Sequence, residues 1–367
     1  MRLSLSASEE LELLLATCHK AIPQWLTLHP TAIDLRHASA DGLRAEGWPK
    51  RLIALWTNHR VTFPLATLIE RCEKHGVRML LPSSPDWPKR FSHLANHAPR
   101  LLFVRGTLPH VPHIAIIGTR RPTPYGLRAL DQFVGDMRGA PIAIVSGLAL
   151  GTDGRAHAQA LKHELPTTAV LGSSVVTQEI HPQTNERLAE DILAAGGALL
   201  SEIAPGDPVH PGSFPERNRL IAALCHALIV TEAKERSGTL ITARIAIELG
   251  REVLAVPGSI FAPTSVGTHG LLAAGARLCT SANDLWKALA VDPPNAMARE
   301  RTHLHTNHED SPILEALLAQ SEGMSIDQLS ATTERTGESL TARLGLLELQ
   351  GLVREIGPGR WVRTGLV

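Results

Sequence analysis

The sequence predicts an α/β protein built on a doubly wound, mostly parallel sheet. Six short apolar runs recur between residues 101 and 290, and helical patterns follow the first five. The runs are apolar throughout rather than alternating, which is typical of strands buried on both faces. Repeated strand–helix units then favour parallel pairing with right-handed crossovers. The strands are expected at 114–117, 142–145, 168–171, 198–200, 227–231 and 252–256.

Residues 1–80 predict a small helical domain in front of this core. Ser6 and Ser8 are candidate caps for a helix that carries the apolar stretch from Leu11, and residues 41–58 and 64–75 show similar helical spacing. The proline-rich residues 80–100 predict a connector. The core domain is therefore expected over 81–290.

Residues 291–310 lack periodicity and predict a linker, and residues 311–367 predict a winged-helix domain. Helices are expected from Ser311, from Ser325 and over 337–350, followed by a hairpin over 353–363. Three helices and a hairpin are the winged-helix order. Residues 301–367 hold six arginines, no lysine and nine acids, which favours a protein contact over reading of duplex DNA.

The composition excludes several classes of protein. Lys+Arg and Asp+Glu are equal at 36 each, so any basic site must be local. No apolar run reaches the roughly 18 residues of a membrane span. The four cysteines lie far apart and predict reduced thiols in a cytoplasmic protein. Three linker histidines lack a further ligand, so no metal site is expected at His303, His305 and His308.

Two glycine-containing turns follow the first two core strands. Gly118, Thr119 and Arg120 end the first strand, and Ser146 and Gly147 end the second. Backbone amides at a helix start bind anions, and arginine adds a bidentate phosphate contact. The turns match neither the dinucleotide fingerprint nor the Walker loop, so ATP or NAD chemistry is not expected.

Two later segments repeat this pattern. Arg217 and Arg219 fall in the first turns of a helix, where the dipole disfavours cations, which indicates that they serve an anion. Phe214 beside them either stacks a base or staples the helix start, and the residues leave both interpretations open. A further strand leads through Lys234 into the turn Ser237-Gly238-Thr239. Asp153 and His157 lie four residues apart, and we expect a capping carboxylate and a surface histidine rather than a catalytic pair.

Five ordered segments carry a family resemblance: IIGTRRPTPYG, SGLALGTDGRAH, LLSEIAPGDPVHPGSFPERNRLIAAL, TEAKERSGTLITARIAIELGREVLAVPG and SVGTHGLLAAGA. Together they resemble the DNA processing protein A family (DprA, also called Smf). The resemblance implies an extended Rossmann-like core, an N-terminal helical domain similar to the sterile-alpha-motif (SAM) fold, and a C-terminal winged helix. The DNA-binding residues that it and the turns imply are Gly118, Thr119, Arg120, Ser146, Gly147, Phe214, Arg217, Asn218, Arg219, Lys234, Ser237, Gly238 and Thr239.

The function implied by the resemblance is that of a recombination mediator and not of an enzyme. Such a protein binds single-stranded DNA, forms a homodimer, and loads RecA onto incoming DNA during natural transformation (competence), with no cofactor and no membrane partner. Two alternatives stay open. A phosphoribohydrolase-type nucleotide enzyme shares this kind of core, but residues 256–259 do not continue into its Pro-Gly-Gly-x-Gly-Thr turn. A transcription regulator would use the winged helix, which the acidic tail disfavours.

Overall fold

The structure is a computed structural model that describes residues 6–18, 21–31, 33–291, 310–318, 320, 323–349, 352–357 and 359–363. The chain divides into two compact units, Met1–Pro294 and Asn295–Val367. Most of the predicted linker over 291–310, including its three histidines, lies outside the described residues. The predicted domain limits therefore stay a prediction, and each unit is described by itself.

In the first unit the helices are α1 Ala7–Thr17, α2 Ala21–Leu28, α3 Ala40–Ala45, α4 Lys50–Thr62, α5 Leu65–Lys74, α6 Pro124–Asp136, α7 Thr152–Lys162, α8 Glu186–Ala194, α9 Ser213–Leu224, α10 Gly238–Glu248, α11 Val266–Ala273 and α12 Ala282–Leu289. The strands are β1 Arg78–Leu80, β2 Leu102–Gly106, β3 His113–Ile117, β4 Ala143–Ser146, β5 Thr167–Leu171, β6 Ala198–Ser201, β7 Ala227–Val230, β8 Glu252–Ala255 and β9 Arg277–Leu278. The six predicted core strands correspond to β3 to β8, within a residue or two at each end.

The described strands of this unit form one sheet in the order β1-β2-β6-β5-β4-β3-β7-β8-β9. Pairing is parallel from β6 to β9, and β1 and β2 add an antiparallel edge. The mostly parallel α/β prediction is therefore confirmed. The strand order reverses at β3, which pairs with β4 on one side and β7 on the other. In open α/β sheets the crevice at the carboxyl ends of such strands binds ligands.

Burial explains why the central strands are apolar throughout. All five residues of β3 are buried. Ile114 and Ile116 join one core cluster, and Ala115 and Ile117 join another. Successive side chains point to opposite faces of a sheet, so a strand covered on both faces favours apolar residues at successive positions, and His113 at the start of β3 is its one polar residue.

The N-terminal helices begin as predicted at Ser6. Its hydroxyl accepts the Glu9 N–H at 3.3 Å, and the Glu9 carboxylate accepts the Ser6 N–H at 2.8 Å, which forms a capping box. The predicted connector is wrong in part, because Lys89–His97 forms 3₁₀ turns, interrupted by a kink at Ala95, that pack on the core. Phe91 and Leu94 are three residues apart, share one side of these turns, and are buried in the cluster that contains Leu220.

The second unit contains helices α13 Ser311–Leu318, α14 Ile326–Thr333 and α15 Gly337–Leu349, and strands β10 Met324–Ser325, β11 Val353–Gly357 and β12 Arg360–Arg363. Its sheet order is β10-β12-β11, with antiparallel pairing. The three helices and the hairpin lie where the sequence predicts them. Ser325 caps α14 by accepting the Gln328 N–H at 3.2 Å. The winged-helix assignment stays a prediction.

No helix among the described residues is long and apolar enough to cross a bilayer. The four cysteines are buried, and none of them forms a disulfide.

Candidate nucleic-acid interface

A cleft lies at the carboxyl end of β3, where the strand order of the sheet reverses, and the turn after β3 lines it. A side-chain carbon at Gly118 would lie 2.5 Å from the Thr231 Oγ1 and 2.6 Å from the Thr152 Oγ1. The Thr239 hydroxyl donates to the Gly118 carbonyl at 2.9 Å, which joins the start of α10 to the end of β3. Glycine is therefore favoured at position 118, because any side chain there would overlap the side chains of Thr152 and Thr231.

Ten of the thirteen predicted residues line this cleft. They are Gly118, Thr119, Arg120, Phe214, Arg217, Asn218, Lys234, Ser237, Gly238 and Thr239. They come from the turn after β3, the first turns of α9 and the turn before α10. Segments about 120 residues apart in the chain therefore share one site.

Positive charge dominates the lining. The side chains of Arg120, Lys234 and Arg236 are exposed, and none of them has an ion-pair or hydrogen-bond partner in the described part of the chain. The lining contains one carboxylate, Asp153, which is buried. Three unpaired cations around one cleft make an anion the favoured ligand.

The start of α10 adds amide donors to these cations. Ser237 occupies the cap position but makes no capping hydrogen bond, and its buried hydroxyl has no partner among the described residues. Gly238 and Thr239 follow it and line the cleft. The uncapped first-turn amides and the positive end of the helix dipole therefore point to an oxyanion at this place.

Two predicted residues, Ser146 and Gly147, do not line the cleft. The buried Ser146 hydroxyl donates to the Ile116 carbonyl at 2.6 Å. The Gly147 N–H donates to the Asp153 carboxylate at 3.1 Å. At the start of α7, the Thr152 N–H donates to the Thr119 carbonyl at 3.2 Å. These contacts connect the turn after β4 to β3 and to the turn that follows β3, and they occupy the Ser146 hydroxyl and the Gly147 N–H.

Arg217 is buried at the cleft and connects two other segments of the chain through hydrogen bonds. Its guanidinium donates to the Gly147 carbonyl at 2.6 Å and also to the Val170 carbonyl. Burial lowers the pKa of Arg217 to about 10, and the Asp153 charge opposes that shift. Burial likewise raises the pKa of Asp153, and Arg217 opposes it. Each charge therefore offsets part of the effect of burial on the pKa of the other group.

Arg219 points elsewhere. It forms a bidentate ion pair with Glu202 at 2.6 and 2.7 Å and donates to the His97 carbonyl at 3.0 Å. Residues two apart on a helix differ by about 200° in direction, so Arg217 and Arg219 cannot both face one cleft. These partners account for the two arginines near the start of α9 without an anion.

Phe214 and Asn218 share the cleft side of α9. They are four residues apart, so their side chains lie one above the other on the helix. Phe214 is half-buried, and a side-chain carbon at Gly172 would lie 2.8 Å from its ring. The Asn218 amide has no hydrogen-bond partner within the described ranges. Both side chains have a face available to a ligand.

Similarity to known proteins shows the family of this chain. The family described as DNA recombination-mediator protein A matches residues 78–290. Protein Smf of Escherichia coli is 37% identical over 274 residues, which is 72% of this chain and 72% of that protein. DNA processing protein DprA of Streptococcus pneumoniae is 41% identical over 190 residues, which is 51% of this chain and 66% of that protein. The chain belongs to the DprA family.

Two solved DprA structures resemble the fold. The Streptococcus pneumoniae protein aligns with a TM-score of 0.65 and 30% identity over 78% of this chain and 98% of that one. The Helicobacter pylori protein aligns with a TM-score of 0.52 and 31% identity over 58% of this chain and 95% of that one. The Helicobacter pylori structure is described as giving insight into that protein's single-stranded DNA binding mode. Membership in the DprA family supports a DNA-processing role in recombination.

The structure adds cleft residues to those predicted for a DprA chain. Arg236 lines the cleft, as do Asp153, Pro215 and Thr242. The sequence carries a signal for Arg236, which directly precedes the Ser-Gly-Thr turn. The expectation of a capping carboxylate at Asp153 is wrong, because Gly151 is the cap residue of α7 without a side-chain hydrogen bond and the Asp153 carboxylate instead accepts the Gly147 N–H of the preceding turn.

The expectation of a surface histidine at 157 is wrong. His157 is fully buried, and its Nδ1 lies 2.7 Å from the Thr167 hydroxyl. His157 lies four residues after Asp153 on α7, and its ring faces the sheet rather than water. Burial lowers the pKa of His157 to about 3, and the nearby Arg217 charge lowers it further.

A pH dependence of stability follows from this burial. An unfolded histidine binds a proton below a pKa of about 6.5, whereas His157 in the folded chain stays neutral until about pH 3. The unfolded state therefore binds more protons in this window, and stability falls as pH drops from about 6.5 toward 3. We expect His157→Asn to flatten the slope of unfolding free energy against pH by up to about 1.4 kcal/mol per pH unit.

Urea unfolding of the full chain at several pH values measures this slope. His113 and His226 shift in the same direction, so the difference between wild type and variant isolates His157. Equal slopes in the two proteins would contradict the assignment of the low pKa to this residue.

Proposed function

We propose that the cleft binds the phosphate backbone of single-stranded DNA and that the chain acts as a recombination mediator. The observation that carries the proposal is the convergence of Arg120, Lys234 and Arg236, all exposed and unpaired within the described ranges, on the uncapped start of α10. Phosphate contacts of this kind supply affinity without reading sequence. The family membership and the Helicobacter pylori relative support the choice of DNA over other anions.

A single strand fits the cleft better than a duplex. Phe214 and the Asn218 amide lie on the cleft wall beside the cations, where an unpaired base has a free face and free edges. Stacking of one base on Phe214 contributes about 1–3 kcal/mol and tolerates any base. A duplex keeps its bases stacked and offers none to this wall.

The finer role that we propose follows the family resemblance. The chain protects incoming single-stranded DNA, delivers it to RecA during natural transformation, and works as a homodimer. We assign it no catalysis. Asp153 and His157, the titratable pair nearest the cleft, are buried and hydrogen-bonded to Gly147 and Thr167 respectively. Neither is placed as an exposed general base.

The experiment is fluorescence anisotropy with labelled oligo-dT, single-stranded and duplex, across a salt series. Wild type should bind the single strand tightly, with an affinity that falls steeply with salt. Arg120→Ala, Lys234→Ala and Arg236→Ala should each weaken binding and reduce the magnitude of the slope of log K against log salt by about 0.7, the value for one contact to a single strand. Lys162→Ala is the matched control, because Lys162 is exposed at the far end of α7.

Three outcomes would contradict this function. They are absence of binding, a preference for the duplex, and equal losses in the cleft and control variants. A separate assay for free base released from nucleoside monophosphates tests the phosphoribohydrolase alternative. RecA filament formation on the single strand, with wild type and with Arg120→Ala, tests delivery to RecA. The variant should support it less if the strand is delivered from this cleft.

A further inference from the structure

The loop that joins β8 to α11 carries a conspicuous aromatic side chain. Phe261 is 88% exposed, the most exposed large apolar residue in the described part of the chain, and Ile260 beside it is 78% exposed. The loop follows the carboxyl end of β8, and β8 pairs in parallel with β7. It therefore lies on the same edge of the sheet as the cleft.

Hydrogen bonds fasten this loop to the edge of the cleft. The Ala233 N–H donates to the Thr264 carbonyl at 2.8 Å, and the Gly267 N–H donates to the Ala233 carbonyl at 2.8 Å. Lys234, which lines the cleft, is the next residue after Ala233. Phe261 is three residues from Thr264, so their Cα atoms are at most about 11 Å apart. The loop that carries Phe261 is thus attached next to the Lys234 side of the cleft.

The loop is ordered by its own contacts. The Phe261 N–H donates to the Ser259 hydroxyl at 3.2 Å, and the Ala262 N–H donates to the Ser259 carbonyl at 3.0 Å. At its base, the Pro257 carbonyl accepts the Tyr125 hydroxyl at 2.6 Å. A ring presented by an ordered turn is already arranged for binding and loses little conformational freedom there.

The chemistry around the ring suits nucleic acid. Residues 256–276 contain no aspartate or glutamate, so no acid on this segment repels a phosphate backbone. Lys234 and Arg236 supply unpaired positive charge on the adjoining turn. Exposed aromatic rings beside cationic grooves bind single strands by stacking on bases of any type.

We propose that Phe261 is a base-stacking platform that extends the single-stranded DNA site beyond the cleft on its Lys234 side. The proposal rests on the proposed function. The cleft holds one stretch of the strand through its phosphates, and Phe261 stacks a base farther along the same strand. Affinity should therefore grow with strand length until the strand reaches this ring.

The test compares wild type, Phe261→Leu and Phe261→Tyr on oligo-dT strands of increasing length, by anisotropy. Leucine keeps the apolar surface and removes the ring, whereas tyrosine keeps the ring. Phe261→Leu should weaken binding of long strands by about fivefold to a hundredfold and leave the shortest bound strand unaffected. Phe261→Tyr should match wild type. Thermal unfolding of all three proteins should coincide, because the side chain is exposed.

A strand with abasic sites sharpens the test. Phosphate contacts survive in such a strand and stacking does not, so wild type and Phe261→Leu should bind it equally. A loss that persists on the abasic strand, or a change of oligomeric state in sedimentation, would assign the ring to a protein contact and overturn the proposal.

The proposal can also fail independently of the proposed function. If Phe261→Leu and wild type bind strands of every length with equal affinity while Arg120→Ala fails to bind them, the base-stacking proposal alone is overturned. Failure of wild type to bind any strand overturns the proposed function, and the platform with it.

Discussion

Arg217→Met is expected to destabilise the chain by about 1–3 kcal/mol, the cost of leaving buried hydrogen-bonding groups without their partner. The substitution removes both donors from the carbonyls of Gly147 and Val170. It also removes the nearby positive charge that opposes the effect of burial on the Asp153 carboxyl. Methionine fills a similar volume, so the lost charge and hydrogen bonds dominate the effect.

Urea unfolding of the full chain measures this prediction, with Arg219→Met as the matched control. Arg219 lies on the same helix, and its ion pair with Glu202 is partly exposed, so its loss should cost no more than about 1 kcal/mol. Adding Asp153→Asn to Arg217→Met should recover part of the stability, because it removes the uncompensated charge. Equal urea midpoints of unfolding for the two methionine variants would contradict this structural role of Arg217.

Gly151→Ala is expected to destabilise the chain and to lower its affinity for single-stranded DNA. Gly151 has φ 77° and ψ −120°, a backbone conformation that costs other residues about 1–3 kcal/mol. A side-chain carbon there would also lie 2.6 Å from the backbone C and O atoms of Arg120. Relief of this overlap must move the turn that carries Arg120, so stability and binding should fall together.

Gly250→Ala separates the effect of the backbone conformation from the effect of the steric overlap with Arg120. Gly250 also has a positive φ, 66°, but a side-chain carbon there meets nothing within 4 Å. It should cost about 1–2 kcal/mol through its backbone alone and leave DNA affinity unchanged. If Gly151→Ala costs no more than Gly250→Ala and binds oligo-dT as wild type does, the close approach to Arg120 has no consequence.

The central strands could be predicted from sequence, and the edges of the sheet could not. β3 to β8 are short and apolar, and burial on both faces leaves few other structures for such runs. β9 has two residues, both exposed, so its sequence carries no strand signal. β1 has three residues and is ordered by pairing with β2, a partner more than 20 residues away. Its position depends on contacts that local pattern does not encode.

The turns of the candidate site were predictable for a similar reason. A glycine directly after an apolar strand indicates close approach of a neighbouring segment, and Gly118 has that role in the structure, against the side chains of Thr152 and Thr231. Ser146 and Gly147 belong to a turn of the same type, yet their polar groups point inward to Ile116 and Asp153. A turn that binds an anion and a turn that joins two strands have the same sequence pattern.

By itself, the sequence determined the α/β class, the six core strands and the turns that meet at the cleft. These depend on local features: the length of an apolar run, the period of a helix and the position of a glycine. Only the tertiary structure decided which side chains face a ligand. Arg217 binds Val170, 47 residues away, and Arg219 binds Glu202, 17 residues away, while Arg120, Lys234 and Arg236 stay exposed. A side chain's direction and its partner depend on how distant segments pack, and that information is absent from any single stretch of the chain.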